Sequence, residues 1–256
     1  MRNATGFSSH FKLPDSDDTA VTLYVLHQVG YKVSIEDLLK FFNGNHFTTF
    51  SYEMSSSLST NINALRTLRL FQANKEVNEV AQKIATFIER INSTKAQVLI
   101  DDKWHSSPYY SSSRAVFSLH GLRDNTVNIL IDFFIQNQNR DGGWGRDGLS
   151  TAEETAYVAL ALCYGLKHGY DVPKAVLQAA SKFLSGMNGE CRWDAELWVG
   201  KVFYRPALVV ESAILAARYA LVKSLEFIQL RAILEETKPD YVNVKYKGNQ
   251  LSLIHI

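Results

Sequence analysis

Pro14-Asp15-Ser16-Asp17-Asp18-Thr19-Ala20 sets three carboxylates within four residues directly ahead of an apolar run, Val21, Leu23, Val25 and Leu26. Acidic clusters are usually solvated, but these open a helix whose continuation must be buried. The positive end of a helix dipole favours ionised carboxylates. Burial and mutual repulsion act in the opposite direction, so at least one of the three is expected to hold a proton at neutral pH. A proton kept on a crowded carboxyl group is what general-acid chemistry requires. The same residues also satisfy the simpler pattern of an N-cap followed by first-turn acids.

The opening at Asp18-Thr19-Ala20-Val21 has counterparts along the chain at Ser59-Thr60-Asn61-Ile62, Ser112-Ser113-Arg114-Ala115-Val116, Thr151-Ala152-Glu153-Glu154-Thr155 and Val210-Glu211-Ser212-Ala213-Ile214. Each begins small and polar and continues rich in alanine and leucine. The starts recur every roughly 40 to 60 residues, the length of a helix pair with its loops. Between them the helical period predicts amphipathic helices at 34–42, 77–91, 126–136, 173–187 and 225–235. Strand-like alternation is scarce. Apolar helices alternating with amphipathic ones predict an all-α fold in two concentric layers. The five starts fit an (α/α) barrel, a helical toroid with about one element missing. In such a ring the polar residues that open the inner helices gather at one rim. An open superhelix of helical repeats is the structural competitor.

A chain of 256 residues buries a sizeable core, and a net charge of +1 without a basic block argues against nucleic acid or an anionic membrane surface. Two cysteines, Cys163 and Cys191, form neither a disulfide framework nor a metal-ligand spacing. No secretory leader or transmembrane stretch is read, which predicts a cytoplasmic protein. The last six residues, Leu251-Ser252-Leu253-Ile254-His255-Ile256, match the translation of a transposon end used in sequencing libraries. The domain is therefore taken as 1–250, with 251–256 as adapter read-through.

Three further segments carry chemistry: Lys103-Trp104-His105-Ser106-Ser107-Pro108-Tyr109-Tyr110; Gln138-Asn139-Arg140-Asp141-Gly142-Gly143-Trp144-Gly145, followed by Glu153-Glu154-Thr155-Ala156-Tyr157; and Glu196-Leu197-Trp198 with Phe203-Tyr204-Arg205-Pro206. With the acidic cluster, these segments resemble the class II terpene cyclases, above all bacterial diterpene cyclases that form copalyl-type diphosphates. Pro14 to Ala20 matches that family's DxDD motif, and the other segments follow in family order. The resemblance runs to about residue 225.

The resemblance implies that Asp17, the middle acid, protonates the terminal alkene of a prenyl diphosphate. Asp15 and Asp18 would hydrogen-bond the carboxylate left behind. An alkene is a very weak base, so its acid must be neutral, desolvated and aimed. The tertiary cation then formed needs aromatic faces rather than nucleophiles. Trp104, Tyr109, Tyr110 and Tyr157 are the candidates by position, although Tyr109 and Tyr110 equally suit a core. His105 is open between orienting a water that takes the final proton and a capping or core role. Trp144 reads as a structural tryptophan outside the cavity, and Glu153 and Glu154 as first-turn helix acids.

The implied reaction is bicyclisation of geranylgeranyl diphosphate with the diphosphate retained. Alternatives are a drimenyl-type cyclase on farnesyl diphosphate, a squalene-hopene-type cyclase, or a non-catalytic toroid used as a binding module. The segment at 103–110 speaks against the squalene-hopene type. The DDxxD pattern of diphosphate-ionising cyclases is absent, as is the Asp, Cys and His trio of zinc prenyltransferases. No metal ligand is assigned within the chain. In the family a second helical domain precedes DxDD and supplies most groups that hold Mg2+ and diphosphate. The resemblance therefore implies a missing N-terminal helical domain as partner, Mg2+ as cofactor of the full-length enzyme, and a fragment inactive alone.

Overall fold

The computed structural model describes residues 13–93, 97–186, 196–199 and 205–236. Among them the chain is helical, with only isolated bridges at 42–47, 105–198 and 144–151 in place of strands. The helices run α1 (Ser16–Gln28), α2 (Glu36–Leu39), α3 (Leu58–Leu68), α4 (Lys75–Ser93), α5 (Pro108–Leu119), α6 (Asp124–Gln136), α7 (Ala152–Lys167), α8 (Lys174–Ser185) and α9 (Ala207–Glu236).

Two layers follow from how each helix distributes its apolar residues. On α4 the buried positions are Val77, Ala81, Ile84, Ala85, Phe87 and Ile88, and on α6 they are Val127, Leu130, Ile131 and Phe134. Both sets form one stripe at helical spacing, so each helix covers the core from outside. By contrast, α3 and α7 are buried nearly all round, from Leu58 to Leu68 and from Ala152 to Gly165. The inner helices pack in sequence, α1 on α3, α3 on α5, α5 on α7 and α7 on α9, while α4, α6 and α8 back them.

Side-chain caps fix where the inner helices begin. Asp15, Ser57, Ser107 and Thr151 each accept a hydrogen bond from a first-turn amide of α1, α3, α5 and α7. Helix α5 starts a full turn ahead of the predicted Ser112, because Ser107 caps it and Pro108 supplies the fixed φ of a first helical position. Two predicted outer helices are corrected. The segment 34–42 forms only the short α2, since the chain turns at Gly44, whose φ is +96°, and Phe42 pairs with Phe47. The segment 225–235 is no separate helix but the end of α9, whose 30 residues contain no glycine or proline to break them. No helix among the described residues is long and apolar enough to cross a membrane. Cys191, Phe203, Tyr204 and the predicted read-through at 251–256 lie outside the described residues.

Candidate active site

The inner helices enclose a cavity of about 650 Å³, lined by Asp17, Asp18 and Val21 of α1, Arg66 of α3, Tyr110, Ser113, Arg114 and Phe117 of α5, Tyr157 and Leu160 of α7, Trp198, and Pro206, Val209, Ser212 and Ala213 at and beside α9. Its volume lies within the range of about 300–1,000 Å³ usual for small-molecule sites. Helix starts from four distant parts of the chain thus meet at one rim.

The three acids are buried unequally and held differently. Asp15 stands outside the cavity as the cap of α1, its Oδ1 accepting the Asp18 amide at 2.7 Å. The next residue ties the same turn down: the Ser16 amide donates to the Thr49 carbonyl at 2.9 Å and its hydroxyl to the Thr48 carbonyl at 2.7 Å. Asp17 faces inward at 7% exposure. The Asn63 side-chain amide donates to Asp17 Oδ1 at 2.8 Å. Asn63 is itself oriented by Arg114, whose Nε and a terminal nitrogen donate to Asn63 Oδ1 at 3.2 and 3.0 Å. With its oxygen occupied by arginine, Asn63 has only its NH2 end to offer Asp17. Asn63 and Arg114 carry no motif of their own in the sequence; only the packing of α3 against α1 and α5 reveals them.

Arg66 lies beside Arg114. Its guanidinium stacks 4.1 Å from the Tyr24 ring centroid and donates to the Tyr24 hydroxyl at 3.0 Å. Burial, and then the charge of Arg114, hold the Arg66 pKa below its ordinary value. Ser113 also lines the cavity, and its buried hydroxyl has no hydrogen-bond partner among the described residues.

Tyr110, Tyr157 and Trp198 make the aromatic part of the wall and cluster apart from the main core. Tyr110 meets Tyr157 and Trp198 edge to face, with centroids 5.1 and 4.9 Å away. The segment carrying Trp198 is threaded beside the 103–107 loop: the Ser106 amide donates to the Leu197 carbonyl at 2.7 Å and the Val199 amide to the Trp104 carbonyl at 3.0 Å. That loop is stapled in turn to α3 by Asp102, which accepts from Ser57, Ser59 and the Trp104 amide at 2.8 to 3.0 Å.

Of the aromatic and histidine candidates, Tyr110 and Tyr157 reach the cavity, whereas Trp104, Tyr109 and His105 are not among its lining residues. Trp104 packs edge-on to Phe50, with Lys103 Nζ 5.3 Å from its ring. Tyr109 packs on Phe134, and burial followed by the charge of Glu154 raises its pKa. His105, 1% exposed, stacks behind Tyr110 at 4.8 Å. Trp144 is fully buried, its indole donating to the Phe134 carbonyl at 2.8 Å and its amide to Thr155 Oγ1 at 2.9 Å. It joins the end of α6 to the start of α7, away from the cavity.

Glu153 and Glu154, adjacent in sequence, part company in space. Glu154 closes a capping arrangement with Thr151 and accepts from the Arg146 amide and the Ser107 hydroxyl. Burial raises its pKa above the ordinary carboxylate value against those hydrogen bonds. Glu153 lies directly behind the aromatic wall. Its Oε1 accepts from the Trp198 indole at 2.7 Å and the Tyr157 hydroxyl at 3.1 Å. Burial and then the Glu153 charge push the Tyr157 hydroxyl well above its ordinary pKa. Among the described residues no group of three or more His, Cys, Asp or Glu side chains could hold a metal ion.

Known proteins match most of this chain. The chain is 32% identical over 214 residues to the type B diterpene cyclase of Mycobacterium tuberculosis, covering 83% of this chain and 42% of that protein. It is 33% identical over 218 residues to a copalyl diphosphate synthase of Streptomyces anulatus, covering 82% of this chain and 39% of that one. The chain is homologous to the diterpene cyclases. The solved ent-copalyl diphosphate synthase of Streptomyces platensis superposes with a TM-score of 0.66 at 28% identity, over 83% of this chain and 42% of that structure. No protein-family model matches. The chain spans about two fifths of the length of these diterpene cyclase relatives.

Proposed function

We propose that this chain carries the proton-donating part of a class II diterpene cyclase, and that Asp17 protonates the terminal alkene of geranylgeranyl diphosphate. The observation that carries the reading is Asp17 itself: a buried carboxyl group on a largely apolar cavity, gripped by an oriented amide and facing an aromatic wall. Once the proton has left, the Asn63 NH2 stabilises the remaining carboxylate by a hydrogen bond to a charged oxygen. Two ring closures follow in the cavity, and the tertiary cation lies against the faces of Tyr110, Tyr157 and Trp198, each contributing about 0.5 to 2 kcal/mol. Loss of a proton ends the reaction with the diphosphate intact. The names of the relatives support a copalyl-type product; they do not favour a drimenyl-type cyclase, a squalene-hopene cyclase or a binding module.

The test compares wild type with Asp17→Asn in a protein extended to the relatives' length, assayed with geranylgeranyl and farnesyl diphosphate. Cyclisation is expected to fall by on the order of 10² to 10⁴-fold, the contribution of one general acid, with thermal unfolding unchanged. An unaltered product yield in the variant rules out Asp17 as the acid.

A further inference from the structure

Glu153 takes no part in the steps above, yet it ties the polar edges of two wall residues together behind the cavity. One oxygen, Oε1, accepts from the Trp198 indole at 2.7 Å and the Tyr157 hydroxyl at 3.1 Å, and faces His105 Nε2 at 3.3 Å. His105 Nδ1 lies 2.9 Å from the Ser107 carbonyl and 3.1 Å from the Ser107 amide, which donates to it. Ser107 thus fixes the plane of the His105 ring and leaves Nε2 turned toward Glu153. Two donors thus meet a single buried carboxylate oxygen in the first turn of α7, with His105 Nε2 beside it, and the helix dipole there also favours an anion.

This arrangement sets what a bound molecule meets. Tyr157 and Trp198 line the cavity, but their polar edges are committed to Glu153. Tyr110 is held between them and the His105 ring. An anion bonded to a phenol O–H and an indole N–H polarises both toward their rings, which strengthens the negative faces. The Arg114 guanidinium lies 5.9 Å from the Tyr110 ring centroid and with Arg66 repels positive charge on that side, so the open faces are those of Tyr157 and Trp198, while Asp17 and Asp18 attract a cation on the α1 side.

We propose that Glu153 is the positioning residue that makes the Tyr110–Tyr157–Trp198 wall a receptor for an organic cation, resting on the reading that this cavity takes the prenyl chain. The cation need not be formed in place, so the purified 256-residue chain suffices for the test. Calorimetry compares geranyltrimethylammonium with its neutral isostere, in which carbon replaces nitrogen. Wild type is expected to prefer the ammonium by roughly tenfold, the scale of one or two desolvated cation–π contacts. Glu153→Gln keeps the shape and one acceptor; it is expected to lower that preference to about twofold or less while binding the isostere as before. Should Glu153→Gln fail to fold, Trp198→Phe keeps a ring without the indole donor and is expected to lower the preference by about threefold. No binding or no preference in wild type overturns the proposal. So does a preference that survives in Glu153→Gln and vanishes in Asp17→Asn/Asp18→Asn. Loss of turnover in Asp17→Asn with an unchanged preference in Glu153→Gln refutes the role of Glu153 and leaves the cyclase reading standing; the opposite pair refutes only the cyclase reading.

Discussion

Asp17, the proposed proton donor, is held by Asn63, which Arg114 orients, and the arginine is the more exacting of the two. Arg114 reaches Asn63 Oδ1 with two nitrogens, a fork that lysine cannot reproduce. Arg114→Lys leaves the Asn63 amide free to turn its oxygen toward Asp17, where two acceptors would face each other once the acid has ionised. The expected outcome is a loss of roughly 1.5–3 kcal/mol of transition-state stabilisation, the worth of a hydrogen bond to a charged group, or about ten- to a hundredfold in kcat. The midpoint of thermal unfolding should move little. Steady-state kinetics at the relatives' full length check this, and an unchanged kcat refutes the orienting role. At this scale the acidic triplet was legible in the sequence, because three carboxylates leading into an apolar run are unusual. Asn63 and Arg114 were not, since a lone amide and a lone arginine among helix-start residues announce nothing until α1, α3 and α5 pack.

Among the elements, the α6–α7 connection is the tightest. A Cβ built on Gly145 falls 1.8 Å from the Leu149 carbonyl oxygen, and one on Gly142, at φ +91°, falls 2.5 Å from the Ala179 carbonyl. Both neighbours are backbone and cannot swing aside. Gly145→Ala is therefore expected to cost about 1–3 kcal/mol or more, as overpacking does, seen as a lower urea midpoint by circular dichroism. A midpoint equal to wild type shows that the turn can open. The apolar stripes of α4 and α6 were readable from period alone and the glycine-tryptophan turn from its residue types, whereas the structural reading of Trp144 came from the family resemblance. Period failed at α2 and α9. A four-residue helix has too few turns for a stripe to identify, and an all-round apolar sequence without breakers gives no internal boundary.

For the molecule as a whole, acid sensitivity follows from two histidines far from the cavity. His46 stacks on Phe87 at 4.8 Å, and burial lowers its pKa, with Glu53 opposing and Arg90 reinforcing. His168 packs against Tyr164 and His120, and burial lowers its pKa too, with His120, Lys167 and Arg69 adding to the shift. A histidine whose folded pKa lies below the unfolded value of 6.5 takes up a proton more readily when unfolded. Stability is thus fully present above that pH and lost as the solution is acidified through and below it. Glu154, with its raised pKa, acts in the opposite sense at lower pH. The thermal midpoint is expected to fall between pH 7.5 and 5.5, and His46→Gln/His168→Gln to flatten that fall; parallel curves for the two proteins refute the assignment.

The sequence by itself determined the all-helical class and the alternation of inner and outer helices, because both are written in local periodicity and capping chemistry; the acidic cluster stood out as a short pattern, and its role as proton donor is what the resemblance implies. Only the tertiary structure decided which residues share the cavity. It left Trp104, Tyr109 and the candidate base His105 off the cavity lining, brought in Trp198 and two arginines, and split Glu153 from Glu154. A helix turns its side chains by about 100° per residue. Neighbours in sequence therefore point into different compartments, and which compartment each enters depends on the helices packed around it.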